Sequence, residues 1–209
     1  MKRVFRSRSA TAFARAAVII ATALGAASIA PAAAGAAAPG PAVAVVDFYV
    51  STPVSPLVDT PELLAADDLA GLVVRSGGGR MTVIPRAAVR RAESALGWQG
   101  SDVLRFARLR ELARALGADL LVLGRIDRLE LGGDGSTSNQ NRGGRNGVVI
   151  GFAAVVVQVF DPRQDRIVSE VQRSAYETGV VSGRVGERLI QRLLEATVTS
   201  IMPVIGGGG

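Results

Sequence analysis

The side chains in this chain that could do chemistry are carboxylates and guanidiniums, because the sequence contains no histidine and no cysteine. It therefore lacks the usual general base, a thiolate nucleophile and the commonest zinc ligands, and it can form no disulfide. Acid–base work would fall to paired carboxylates, which can divide the roles of acid and base between them. Asp67 with Asp68, and Asp127 with Glu130, are the pairs to weigh. The first two are adjacent on an expected helix and point apart, while the second two sit on an expected strand with Arg128 between them. Both read as solvated faces. The glycine-rich run Gly132 to Gly147, GGDGSTSNQNRGGRNG, does not read as a phosphate cradle. It connects two expected strands, lacks a Walker lysine and precedes no helix, so it is read as a flexible hairpin loop. No catalytic residue, cofactor or metal site is expected.

The arginines carry the more usable signal, once the charge is located. The chain has 24 basic and 18 acidic residues, a formal charge of +6. Lys2, Arg3, Arg6, Arg8 and Arg15 crowd the first fifteen positions, and beyond them 19 basic residues, all arginine, face 18 acids. The basic excess belongs to the N-terminal segment, so nucleic acid is not an expected partner. Within the remainder, residues 39–85 carry net −3 and residues 86–116 net +4. Two expected helices thus form a basic face holding Arg86, Arg90, Arg91, Arg105, Arg108, Arg110 and Arg114, with Trp98 in the loop between them. Arginine and tryptophan are enriched at interface hot spots, and guanidiniums pair bidentately with carboxylates. Arg90, Arg91, Trp98, Arg105 and Arg108 are the candidate partner-binding residues, against the plainer alternative of a solvated helix layer with Trp98 tucked into the core.

The elements that must hold this face follow from the hydrophobic pattern. The basic start, the apolar run Ala16 to Ala30 and the small residues around Ala34-Gly35-Ala36 read as a secretory signal peptide and linker over residues 1–38. One domain is expected over 39–202 and a flexible glycine-rich tail over 203–209. Ala42 to Val50, AVAVVDFYV, reads as a buried central strand; Pro61 to Arg75 as a helix ended by Gly77-Gly78-Gly79; and Arg80 to Ile84 as a short strand. Helices are expected over Arg86–Leu96 and Ser101–Leu116, the latter with Leu104, Leu109, Leu112 and Leu116 on one side and Gly117 as its cap. Asp119 to Leu131, Val148 to Phe160 and Arg166 to Thr178 read as three antiparallel strands, followed by a helix from Gly183 to Ile201 that Pro203 stops. The fold class is α/β, a mixed five-stranded sheet with helices packed on it in the order β-α-β-α-α-β-β-β-α.

Three stretches then carry a resemblance: Val43-Ala44-Val45-Val46-Asp47-Phe48, Thr82-Val83-Ile84-Pro85-Arg86, and Leu116 to Ile126, LGADLLVLGRI. With the hairpin strands that follow, they resemble the CsgG/LpoB/TolB-N-terminal-like group of bacterial envelope proteins over Ala42 to Ile201. The resemblance implies a fold like the anticodon-binding domains of some tRNA synthetases, used as a protein-binding module without chemistry of its own. The chain departs from the lipoproteins CsgG and LpoB in having no cysteine to acylate. Its polar loop also cannot supply the barrel-forming hairpins of CsgG, because transmembrane strands need about 9–11 residues of lipid-facing alternation.

The sequence therefore leads to an exported, non-enzymatic binding module, periplasmic or extracellular, acting on an envelope protein in assembly, secretion or regulation. No stable membrane insertion is expected after signal cleavage. The alternatives are a self-associating, homo-oligomeric envelope component and a polymer-acting enzyme.

Overall fold

The computed structural model describes residues 40–52, 58–133, 149–179 and 182–207. The signal-peptide segment 1–38, most of the polar loop 132–147 and the end of the glycine tail lie outside the described residues. The elements are β1 (Ala42–Val45), β2 (Tyr49–Val50), α1 (Pro61–Gly77), β3 (Thr82–Val83), α2 (Arg86–Ala95), a 3-10 turn (Gly100–Leu104), α3 (Phe106–Leu116), β4 (Leu120–Gly133), β5 (Val149–Asp161), β6 (Arg166–Gly179) and α4 (Ser182–Ile205). The α/β class and the element order are those the sequence implies, with β2 and the 3-10 turn added.

The sheet runs β3-β1-β4-β5-β6, and β2 lies beside β4 in line beyond the end of β1. β1 is parallel to β3 and β4, whereas β4, β5 and β6 form an antiparallel meander. Helices α1 and α4 cover one face, where Leu69, Val73, Leu189, Ile190 and Leu194 pack with Val45, Val122, Val155 and Val157. The opposite face is covered by α2, the 3-10 turn and α3, over a smaller core of Val89, Val103, Leu109, Leu112, Leu121 and Phe160. These cores remove the apolar stripes of all the helices from water, which supplies the main driving force for the fold.

Three boundaries differ from the sequence expectation for identifiable reasons. The first strand breaks between Val45 and Tyr49, because the Asp47 N–H turns away from the sheet to the Glu93 carboxylate at 3.1 Å. The expected helix from Ser101 is a 3-10 turn followed by α3. Asp102 accepts the Gln99 N–H at 3.0 Å, which closes a tight capping box, and Arg105 is extended with φ −121° and ψ 103°. Leu104 consequently leaves the apolar stripe of Leu109 and Leu112 and is 57% exposed. Finally, Pro203 lies inside the last turn of α4. The helix continues past it because Ile201 and Ile205 are both fully buried against the core, which offsets the one intrahelical hydrogen bond that proline removes.

Two glycines are fixed by geometry. Gly117 caps α3 in the left-handed conformation with φ 63°, as its place after Leu116 implies. Gly124 in β4 lies directly under Phe48, so that a methyl group there would fall inside the phenyl ring. Gly124→Ala is expected to cost about 1–3 kcal/mol through overpacking. A urea denaturation curve checks this, and an unchanged midpoint would show that Phe48 can move aside.

Candidate functional site

The carboxyl ends of β1 and β3 form the first place to look. These neighbouring parallel strands send their connections to opposite faces, β1 to α1 and β3 to α2, so a crevice opens between their ends. Open α/β sheets bind ligands at such switch points. Here the crevice is filled from within by Arg86, the first residue of α2. Its Nη1 donates to the Val45 carbonyl at 2.5 Å, its Nε to Asp67 at 3.0 Å, and its Nη2 to the Asp47 carboxylate. Arg90, one turn on, donates to both oxygens of Asp67 at 2.8 and 2.7 Å. One guanidinium thus ties the end of β1 to α1 and α2, with a second clamping the two helices.

Glu93 completes this cluster from the buried side of α2. Burial pushes its carboxyl above the usual range, and the nearby Asp47 charge adds to this, while the Asp47 N–H and Arg86 oppose it. Such a carboxylate, beside an aspartate at a switch point, is the kind of group that could shuttle a proton. One of its oxygens, Oε1, accepts the Asp47 N–H, and the Arg86 guanidinium lies across the same crevice on the Asp47 carboxylate. The arrangement is a latch. Among the described residues no group of three or more metal-ligating side chains converges anywhere.

The second place is the face of α2, the 3-10 turn and α3. Asp102 is buried beneath it. The Gln99 N–H holds its carboxyl below the ordinary range; burial opposes this, and Arg108 and Arg105 reinforce it. Arg108 donates to Asp102 at 3.3 Å, to the Leu96 carbonyl at 2.8 Å and to Glu111. Its guanidinium also lies 5.9 Å from the centre of the Trp98 ring, within cation–π range. Trp98 packs against the smaller core, and its buried Nε1 has no hydrogen-bond partner among the described residues. Trp98, Arg108 and Asp102 therefore form a braced support.

What this support presents is Leu104-Arg105-Phe106. Phe106 is 44% exposed with its ring 5.5 Å from Phe160, and the Arg105 side chain is 70% exposed, reaching Asp102 only at 3.7 Å. Three consecutive large side chains stand out of the surface at a break between helical turns.

The structure thus sorts the sequence candidates into groups. Trp98, Arg105 and Arg108 come together around Asp102, whereas Arg90 is drawn to α1 by Asp67. Arg91 is exposed and, among the described residues, bonds only within its own helix, donating to the Ala87 carbonyl at 3.2 Å. Sequence reasoning missed Leu104 and Phe106 because Leu104 fits a leucine spacing. The available warning was Asp102 three residues after Gln99, a capping pattern in mid-segment. It missed Glu93 too, although a glutamate four residues after Val89 falls on the stripe that α2 buries.

No protein-family model and no curated protein matches the chain by sequence. Solved structures do match in fold. The lipoprotein GNA1162 from Neisseria meningitidis is similar with a TM-score of 0.51 at 18% identity, over 77% of this chain and 97% of that one. The hypothetical protein CT253 from Chlamydia trachomatis matches with a TM-score of 0.49 at 16% identity, covering 81% and 99%. The LpoB C-terminal domain from Salmonella enterica matches with 0.41 at 14% identity, covering 68% and 86%. At these identities the likeness concerns the fold.

The charge cluster makes a pH-dependent prediction. Glu93→Gln keeps an acceptor for the Asp47 N–H and removes the buried charge. Because the folded Glu93 titrates above its ordinary 4.5, its charge costs the wild-type fold stability at neutral pH, and that cost vanishes as the pH falls to 4.5. The variant should melt at a higher temperature at neutral pH and lose the advantage on acidification. A gap that stays constant with pH would contradict the buried charge.

Proposed function

We propose that this protein is an exported, non-enzymatic binding module that docks an envelope protein through Leu104-Arg105-Phe106. One observation carries the reading: two exposed apolar side chains flank an exposed guanidinium on a backbone braced by Asp102, Arg108 and Trp98. Interfaces draw their energy from a few aromatic, aliphatic and arginine anchors, and anchors held rigid in the free protein lose little entropy on binding. Arg91 adds an exposed charge on the same helical layer. The partner it fits presents an apolar pocket rimmed by carboxylates.

In this reading residues 1–38 are cleaved on export, and residues 39–202 work as one domain of the CsgG/LpoB/TolB-N-terminal-like kind outside the cytoplasm. One feature supports the assignment: the fold is shared with a Neisseria lipoprotein. This chain has no cysteine for a lipid, and no described helix is long and apolar enough to cross a membrane, so attachment to the envelope falls to the partner. A switch-point crevice closed by Arg86 supports the absence of catalysis.

The test is crosslinked recovery of partners from envelope of the native host, comparing wild type with Arg105→Glu and with Leu104→Ser. Each change should weaken recovery of one specific protein by about tenfold or more, with melting temperatures unaltered. Equal recovery by wild type and variants would reject this surface. Reversing Arg108 is a poor test, because a glutamate there would face Asp102 and Glu111 and damage the support itself.

A further inference from the structure

The outer edge of β6 is unpaired by any strand among the described residues, because β6 ends the sheet. It is a long edge, and its register against β5 is unbroken from Ser169 to Gly179. Edge strands of this length are usually blunted by proline, lysine or a bulge, since their open backbone groups template further pairing. This stretch has no proline, its single register shift lies at the other end, near Ile167, and its guarding charges, Glu170, Arg173 and Glu177, are of both signs and so can also complement one another across a symmetric pair.

Two side chains on this edge, one on each face, bear on what could pair there. Tyr176 packs against Phe152 with ring centres 4.7 Å apart and planes tilted by 48°, yet 71% of it is exposed. Glu177, on the face covered by α4, has its carboxylate 3.5 Å from Arg188 and from Arg192, and its side chain is only 24% exposed. No hydrogen bond to that carboxylate is made within the described residues, although a carboxylate offers about four acceptor positions.

We propose that β6 pairs antiparallel with β6 of a second copy, about a two-fold axis through Ala175. An axis normal to the sheet keeps corresponding faces together, so it must fall on a residue. Among the residues near the middle of the edge, only Ala175 completes both faces. It sets Arg173, whose Nη2 donates to Ser200 Oγ at 3.0 Å within its own copy and which keeps further donors, opposite the partner copy's Glu177, twice by symmetry, and small alanines opposite each other on the axis. An axis on Arg173 or Glu177 would oppose like charges, and an axis on Ser174 or Tyr176 would set Arg173 against alanine or glycine. On the open face the same register places the two Tyr176 rings diagonally across the seam, within aromatic reach, so that the Phe152–Tyr176 contact continues into the other copy. This contact lies apart from Leu104-Arg105-Phe106 in sequence and would make the module bivalent, which goes beyond the binding reading above.

The cysteine-free sequence gives a clean test on the purified protein. Sedimentation across a range of concentrations should show a monomer–dimer equilibrium. Arg173→Glu, which opposes two glutamates, should weaken it by roughly tenfold, and Tyr176→Ser should weaken it independently. Arg91→Glu on α2 should leave it unchanged. Under mild oxidation Ala175→Cys should form a covalent dimer and Gln172→Cys should not, because the two copies of residue 172 lie six residues apart along the seam, roughly 20 Å. A monomer at every concentration, or efficient crosslinking at 172 in place of 175, would overturn the proposal.

Discussion

The Arg86 guanidinium is the constraint on which the rest of the molecule depends. It meets the last carbonyl of β1, the carboxylate of Asp47 and that of Asp67, and so fixes where the central strand ends and how α1 and α2 stand on opposite faces of the sheet. An arginine can do this because its donors form a flat fork that addresses several acceptors in fixed directions. Glu93 then captures the Asp47 N–H, and the chain steps out of the ladder between β1 and β2 before Tyr49 and Val50 rejoin the sheet beside β4. A cluster of this kind, half-buried at Arg86 and Asp47 and exposed at Asp67, adds little net stability over apolar packing, but removing Arg86 leaves its partners unpaired, so it acts on specificity of arrangement. It also fills the crevice between the carboxyl ends of β1 and β3 with protein side chains.

Much of this architecture was legible in the sequence because it rests on periodicity. Ala42 to Val46, Leu120 to Ile126 and Val155 to Phe160 are buried runs that the apolar pattern marks directly, and Gly117 announces the end of α3. What was not legible rests on contacts between residues distant in the chain. Asp47 meets Arg86 and Glu93 only after the crossover through α1 and β3, and Asp67 is bound by two arginines that sequence reasoning placed on an open basic face. The candidate site divides the same way. Arg105 and Trp98 were visible as residue types, but the exposure of Leu104 and Phe106 depends on a 3-10 turn that one carboxylate, Asp102, imposes.

The two surfaces left for function differ in character. Leu104-Arg105-Phe106 is compact, charged and rigidly supported, which suits recognition of one partner. The β6 edge is extended and self-complementary, which suits a symmetric pair. A module with both can hold two partner molecules at a fixed separation, and the gain in effective concentration then needs no additional contact with either. Both proposed surfaces use arginine, which supplies almost all of the chain's positive charge.

The most direct test of the central claim is site-specific photocrosslinking in the native host, with a photoreactive phenylalanine analogue placed in turn at Leu104, Phe106, Val74 and Val204. All four positions are exposed, but only the first two belong to the proposed docking surface. Capture of the same single envelope protein from 104 and 106, and of nothing from 74 and 204, is the result this account predicts. Equal capture from all four positions, or none from 104 and 106, would contradict it.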